Sequence, residues 1–301
     1  MIQLSDNMRG ALFMCVSMAL FTFGDSAIKA TGGALPLSQL MVIRGVLASA
    51  ALVLMAWSFN ALRLRLPMRD WGLIVMRGLG DAVAAFFFLS ALLQMPLANV
   101  TALLQMLPLT VTLAGAIIFR EAVGWRRWTA IAIGFCGMLL IVRPGTDGFT
   151  GASVYALLAV LAVTARDMFT RRISVQAPSL TVTFISSVIV TLFAVGWSFS
   201  QEWVPLTPHL TGLVMLATVF VIGAYLFSVM VMRVGEVSFV APFRYTGLVW
   251  ALILGVVVFG EWPEPLTLIG AGIIVATGVF SLLREARLKR RARRPILPRQ
   301  P

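Results

Sequence analysis

Residues 97–121 read LANVTALLQMLPLTVTLAGAIIFRE, and residues 237–261 read VSFVAPFRYTGLVWALILGVVVFGE. Each stretch is apolar on every face over the roughly 20 residues that a helix needs to cross a bilayer, and each ends at a glutamate. Aligned end to end, the two stretches share four identical positions: Val100 with Val240, Gly115 with Gly255, Phe119 with Phe259 and Glu121 with Glu261. This match predicts that the chain contains two copies of one membrane-embedded unit.

Apolar runs of spanning length occur ten times along the 301 residues. We place them at 10–31, 37–58, 71–92, 97–119, 125–143, 152–170, 178–199, 210–232, 236–259 and 265–284. The runs do not alternate between apolar and polar residues, so they predict helices and not the strands of a membrane barrel. With 59% hydrophobic and 12% charged residues, the composition excludes a soluble protein. The predicted fold class is an all-α membrane protein with ten transmembrane helices.

The repeat extends beyond the quoted stretch. GALFM from Gly10 matches GASVY from Gly151, and DSAIK from Asp25 matches DMFTR from Asp167. We therefore expect a cytoplasmic N-terminus at 1–9, a first repeat of five helices at 10–143, a second repeat at 144–284 and a basic cytoplasmic tail at 285–301. Because five is odd, the second repeat enters the membrane from the opposite side, and such inverted repeats favour a transporter with two access states.

The distribution of positive charge predicts the orientation, because Lys and Arg are retained on the cytoplasmic side. With the N-terminus inside, the inner segments carry 18 of the 24 Lys and Arg residues, and the outer loops carry Arg143 alone. Both termini are therefore expected in the cytoplasm. The protein itself is expected in a bacterial inner membrane. The basic tail fits a topology signal or a contact with anionic lipid. It lacks interleaved aromatic residues, so we expect no nucleic-acid partner.

The stretch FFFLSALLQMPLANVTALLQMLPLTVTLAGAIIFREAVGWRRWTAIAIGFCGMLLI at 86–141, its weaker copy at 240–280 and the opening FGDSAIKA with MVIRG resemble EamA-type members of the drug/metabolite transporter superfamily. The resemblance implies two inverted five-helix EamA repeats around a central cavity that opens alternately to either side. It is nearest to the riboflavin and S-adenosylmethionine uptake subgroup, so import of riboflavin is the first substrate expectation. S-adenosylmethionine uptake and export of amino acids or drug-like metabolites are the alternatives.

Charged side chains within the spans are candidates for the transport site, because a charge at the bilayer centre costs about 2.5 to 3.5 kcal/mol unless it meets a partner or a wet cavity. We expect substrate binding by residues near the middle of the predicted helices: Arg44, Asp81, Gln105, Arg244, Tyr245 and Trp250. Asp81, the deepest carboxylate, is also the candidate for proton coupling. A permanent ion pair between Asp81 and Arg77 or Arg44 is the open alternative. Pro108 is expected to kink the fourth helix.

Three oppositely charged pairs recur at a spacing of four residues, which places both side chains on one helix face. They are Asp25 with Lys29, Arg77 with Asp81, and Asp167 with Arg171. As gates or coupling residues they would form contacts in one access state and lose them in the other. As structural ion pairs they would only make charged helices easier to insert. Glu121 and Glu261 are expected to be interfacial helix caps.

Motifs for other functions are missing from the sequence. It contains no Gly-rich phosphate loop with a lysine and no His or Cys cluster with metal spacing, so we expect no cofactor, no metal and no catalytic residue. An intramembrane aspartyl enzyme using Asp25, Asp81 and Asp167 is a remote alternative, and a receptor or structural membrane protein is another. The expected partners are a small-molecule substrate and the lipid bilayer. The protein is expected to be a monomer or a homodimer.

Overall fold

The computed structural model describes residues 5–121, 123–145, 150–234 and 236–292, and these residues form helices and loops without a strand. Ten helical segments are long and apolar enough to span a membrane, which confirms the predicted fold class. In chain order, the spans are Asp6–Lys29, Leu37–Ser58, Met68–Gln94, Leu97–Ile118, Trp125–Val142, Gly151–Thr170, Ser179–Ser198, Pro208–Val231, Ala241–Phe259 and Pro265–Arg284. The chain is a multi-pass membrane protein.

The first and last helices extend further toward the ends of the chain than the predicted spans do. The first helix already begins at Asp6, four residues before the predicted span, and the last helix runs on to Ala292 through the start of the basic tail. Residues 293–301 of that tail lie outside the described residues. Prolines stand directly before several spans, where the fixed φ of the ring suits a helix entry and its missing N–H removes no helical hydrogen bond. These prolines are Pro36, Pro67, Pro96 and Pro178.

The fourth and ninth spans, which contain the two quoted stretches, are broken helices. The fourth consists of Leu97–Leu104 and Leu107–Ile118, with Pro108 in the first turn of the second half, so the expected kink is present one turn before the proline. The ninth begins as a 3₁₀ helix, Ala241–Tyr245, and continues as the α-helix Thr246–Phe259. Half-helix ends inside a membrane expose backbone groups, and transporters place binding sites there.

The packing of the spans repeats after five helices. The first span packs on the eighth, just as the sixth packs on the third. The second packs on the seventh, the fifth on the tenth, and the first half of the fourth on the ninth. Exchanging each span for the one five places away leaves this pattern unchanged. The two halves are therefore equivalent five-helix repeats, and their odd helix number gives them opposite directions in the membrane.

Glycines allow the fifth and tenth spans to approach closely. A Cβ atom on Gly137 would lie 2.8 Å from the carbonyl oxygen of Gly270, and a Cβ atom on Gly270 would lie 2.5 Å from the carbonyl oxygen of Gly137. Both contacts are with backbone, so a side chain at either position would force the helices apart. The contact joins the last helix of one repeat to the last helix of the other.

Gly270→Leu should lower the stability of the folded protein by about 1 to 3 kcal/mol, because the added side chain overpacks this contact. The matched control is Gly272→Leu, at a position of the same helix where an added Cβ meets nothing within 4 Å. Thermal unfolding of both variants in detergent measures the difference. Equal melting temperatures for the two variants would contradict the close contact.

Candidate functional site

Several ionisable side chains of the described residues lie inside the spans, between the two ends of the helix bundle. The first and second spans contribute Asp25 and Arg44, the third contributes Arg77 and Asp81, the sixth contributes Arg166 and Asp167, and the ninth contributes Arg244. We call these seven residues the central charge cluster. Tyr225 of the eighth span lies within electrostatic range of Arg44, Asp81 and Arg166. The cluster thus draws on both repeats.

One part of the central charge cluster is joined by ion pairs. Asp81 contacts Arg77 at 3.0 Å, which confirms the predicted pair within the third span, and it contacts Arg166 of the sixth span at 2.8 Å. Arg166 also contacts Asp167 at 2.9 Å. Arg77 further donates to the hydroxyls of Thr170, at 3.0 Å, and Ser186. These contacts tie the third span to the sixth and seventh, and therefore tie the first repeat to the second.

Arg166 was not among the predicted site residues, although the rule that selected Asp81 applies to it equally. It is a charged residue in an apolar span, and its guanidinium stands between two carboxylates. That position also bears on the aspartyl-enzyme alternative, because aspartyl chemistry needs two carboxylates that share a proton. In the structure, Asp81 and Asp167 share a guanidinium instead.

The other part of the central charge cluster has no such partners. Among the described residues, Asp25, Arg44 and Arg244 make neither an ion pair nor a side-chain hydrogen bond, and all three are half-buried. Asp25 lies within electrostatic range of Arg44. Arg244 lies within that range of Arg166 and Asp167. The contact between Arg44 and Asp81 that the sequence left open is not formed. Half-buried charges without partners leave their binding capacity for water or a ligand.

Aromatic rings stand close to the unpaired charges. Trp250 of the ninth span packs against Phe23, with ring centroids 5.6 Å apart, and Phe23 packs against Phe220 at the same distance. Phe21 meets the ring of Tyr225 edge-on at 5.5 Å. Phe21 precedes Asp25 by four residues, so their side chains share a face of the first span, and Tyr225 lies within electrostatic range of Arg44. Aromatic rings therefore lie on the same helix face as one unpaired charge and near another.

Two predicted binding residues lie at the helix breaks. Gln105 is buried at the break of the fourth span, and its amide nitrogen lies 3.7 Å from the position of a Cβ atom on Gly247 in the ninth span. Tyr245 is buried at the end of the 3₁₀ helix and packs against Gly278 of the tenth span. Its hydroxyl has no hydrogen-bond partner within the described ranges. Gln105 and Tyr245 occupy equivalent positions of the two repeats.

The predicted pair of Asp25 and Lys29 is wrong. Lys29 Nζ lies 3.0 Å from Glu261 Oε1 and donates to the carbonyl oxygens of Met95, at 2.6 Å, and Leu92, at 3.3 Å. The last carbonyls of a helix have no partner within the helix, so the end of the third span attracts the ammonium group. Glu261 Oε2 also accepts from the backbone N–H of Leu97 at 2.9 Å, which confirms its expected role as a helix cap.

The predicted pair of Asp167 and Arg171 is also wrong. Arg171 contacts Glu121 at 3.0 Å, while Asp167 contacts the neighbouring Arg166. Arg171 follows the end of the sixth span, where its long side chain reaches the loop after the fourth span. Glu121 therefore holds a cation instead of acting only as a cap. A spacing of four residues places two side chains on one face, but it does not exclude nearer partners on other helices.

Comparison with known proteins agrees with this architecture. A model of the EamA-like transporter family matches the chain twice, at residues 8–143 and 150–283. The S-adenosylmethionine uptake transporter of Rickettsia prowazekii is 23% identical over 282 residues, which cover 92% of this chain and 94% of the relative. The riboflavin transporter of Rhizobium johnstonii is 26% identical over 232 residues, covering 77% of this chain and 75% of the relative.

A third relative is named as an exporter. The pseudopaline exporter CntI of Pseudomonas aeruginosa is 23% identical over 284 residues, which cover 93% of this chain and 98% of the relative. The relatives thus share the architecture and differ in named substrate and direction. All are transporters by name, and the family match extends over both repeats. The chain belongs to the EamA-like transporter family and is a membrane-embedded transporter of a small molecule.

Proposed function

We propose that the protein is a secondary transporter of a bacterial inner membrane, with both termini in the cytoplasm, which carries a small metabolite by alternating access. The observation that carries this proposal is the set of unpaired charges Asp25, Arg44 and Arg244 beside the ion-paired part of the cluster. Charged groups inside a membrane are costly unless they face a partner or a wet cavity. Three such groups without protein partners fit a substrate site that the substrate completes.

The unpaired charges favour a zwitterionic substrate with a planar ring. A guanidinium of Arg44 or Arg244 offers a fork of donors to a carboxylate, and Asp25 offers an acceptor to a cationic group. Trp250 and Phe23 offer apolar faces for a ring. S-adenosylmethionine has a carboxylate, an amino group, a sulfonium and an adenine ring, so it is our first candidate. Import as the direction is supported by the name of the S-adenosylmethionine uptake transporter of Rickettsia prowazekii.

Riboflavin is the second candidate. It is the substrate that the sequence resemblance suggests, and a relative has that name. Its planar ring suits Trp250 and Phe23, but it has neither a carboxylate nor a cationic amine for Asp25 and Arg244. Export of an amino-acid-like compound uses the same charges in the opposite direction, and the relative named as an exporter supports that possibility. Gln105, at the helix break, is proposed to contact the substrate in every case.

Cells that express the protein should take up radiolabelled S-adenosylmethionine saturably. Arg244→Gln and Asp25→Asn should each lower uptake at limiting substrate by about tenfold or more, because each removes a charge-assisted hydrogen bond worth about 1.5 to 3 kcal/mol. Arg9→Gln is the matched control, since Arg9 is exposed and, among the described residues, pairs with the exposed Asp6 alone. Uptake is normalised to folded protein measured by size-exclusion chromatography.

Two outcomes would overturn parts of this assignment. Full transport by a folded Arg244→Gln protein would remove Arg244 from the site. Saturable riboflavin uptake without S-adenosylmethionine uptake would make riboflavin the substrate. Loading inverted and right-side-out vesicles with each compound measures the direction independently of cell metabolism.

Asp81 is predicted to be structural and not a proton-coupling residue, because Arg77 and Arg166 both hold it. Asp81→Asn should lower the stability by up to about 3 kcal/mol, since it leaves the half-buried guanidinium of Arg77 without a carboxylate and leaves Arg166 with Asp167 alone. Transport per folded molecule should keep its dependence on a pH gradient in proteoliposomes. Loss of that dependence would restore Asp81 as the coupling residue. Asp6→Asn is the control for removal of an exposed carboxylate.

A further inference from the structure

The two ion pairs that replaced the predicted ones are equivalent under the repeat. Glu261 corresponds to Glu121, and Lys29 corresponds to Arg171. Each cation also lies over the phenylalanine two residues before its glutamate: Lys29 Nζ is 5.6 Å from the ring centroid of Phe259, and Arg171 Cζ is 5.6 Å from that of Phe119. We call these groups the Lys29 latch (Lys29, Phe259, Glu261) and the Arg171 latch (Arg171, Phe119, Glu121).

The latches lie at opposite ends of the bundle. The Lys29 latch joins the ends of the first and ninth spans, where the third span ends and the fourth begins. The Arg171 latch joins the ends of the sixth and fourth spans, on the other face of the membrane. The same cation, ring and carboxylate therefore close the bundle at both faces, as inverted repeats require. Neither glutamate was singled out as a transport residue by the sequence.

The two latches are not equally closed. The Lys29 latch includes hydrogen bonds to the carbonyls of Leu92 and Met95 and to the N–H of Leu97, so it ties together four spans. Its charged side chains are only 11% and 22% exposed. In the Arg171 latch the side chains are 41% and 43% exposed.

We infer that Glu261 and Glu121 are the alternating latch residues of transport, and that the structure is the state closed at the Lys29 face. This inference rests on the proposed alternating access. In the opposite state the repeats exchange roles, since the inverted halves move against each other. The Arg171 latch then becomes the more buried of the two, and the Lys29 latch loosens. A contact present in one state alone shifts the balance between the states.

The positions of two carboxylates, Asp25 and Asp167, suit cysteines that report access from each face of the membrane. Asp25 lies one helical turn, about 6 Å, beneath Lys29, and Asp167 lies the same distance beneath Arg171. Each pair shares a helix face, so each latch covers the route to the carboxylate from its own face. In a background of Cys15→Ala and Cys136→Ala, Asp25→Cys reports access from the Lys29 face. Asp167→Cys reports access from the Arg171 face.

The experiment labels these cysteines with a membrane-impermeant maleimide in right-side-out and inverted vesicles. Glu261→Gln keeps the acceptor oxygen for Leu97 and removes the charge. It should raise labelling at position 25 from the Lys29 face about fivefold, the change expected from an ion pair worth about 1 kcal/mol, and lower labelling at position 167 from the Arg171 face. Glu121→Gln should change both rates in the opposite directions.

Glu264→Gln is the matched control. Glu264 lies three residues after Glu261, is 66% exposed and pairs with Arg143 at the rim of the same face, so its loss should leave both labelling rates unchanged.

Charge reversal tests the Arg171 latch in a second way. Arg171→Glu should shift labelling in the direction of Glu121→Gln, and Arg171→Glu combined with Glu121→Arg should return it toward the parent. Lys29→Gln replaces Glu261→Gln if the latter does not fold.

The inference is overturned if both glutamate variants change labelling in the same direction at both positions, which indicates loosened structure, or if neither variant changes labelling. Labelling needs no substrate, so its result is independent of the substrate assignment. A protein that transports neither candidate compound but shows opposite labelling shifts would keep the latches and lose only the proposed substrate.

Discussion

The contact between Asp81 and Arg166 is central to the structure, because it joins the third span of the first repeat to the sixth span of the second through charged side chains inside the membrane. A single charge at the bilayer centre costs about 2.5 to 3.5 kcal/mol, and the two side chains remove that cost for each other. Arg77 and Asp167 extend this contact into a series of ion pairs in which positive and negative side chains alternate. This series of ion pairs runs from the third span to the sixth, so it links the first repeat to the second through charged side chains.

Three charged residues of the central charge cluster, Asp25, Arg44 and Arg244, do not take part in this series of ion pairs. Arg244 lies within electrostatic range of Arg166 and Asp167, and Asp25 lies within that range of Arg44. Among the described residues, none of the three makes an ion pair or a side-chain hydrogen bond. A protein selected only for stability would pair such groups or replace them by apolar residues. We propose that these unpaired charges form a site for a charged or strongly polar ligand, whereas the ion-paired charges of the cluster are structural.

Much of the fold can be predicted from the sequence, because the hydropathy of each segment alone indicates whether it spans the membrane. The ten spans, the break near Pro108 and the pairing of Arg77 with Asp81 all depend on neighbours within one helix. The ion pair of Lys29 with Glu261 joins residues that are far apart in sequence, and a local spacing rule chose Asp25 instead. Arg166 satisfied the rule for charges in spans but was not singled out. The break in the ninth span, near Pro242, was also not foreseen.

Residues that are equivalent in the sequence repeat can differ in the structure, and the two latches differ in how deeply they are buried. The repeat assigns Lys29 and Arg171, with Glu261 and Glu121, to the same roles, and it predicts nothing about which pair is more buried. A conformation of two inverted repeats that is open to one face only must break the symmetry, because the other face is then closed. The unequal burial of two equivalent ion pairs is therefore what a transporter in one access state should show. A rigid scaffold with the same repeats has no reason to bury one pair more deeply than the other.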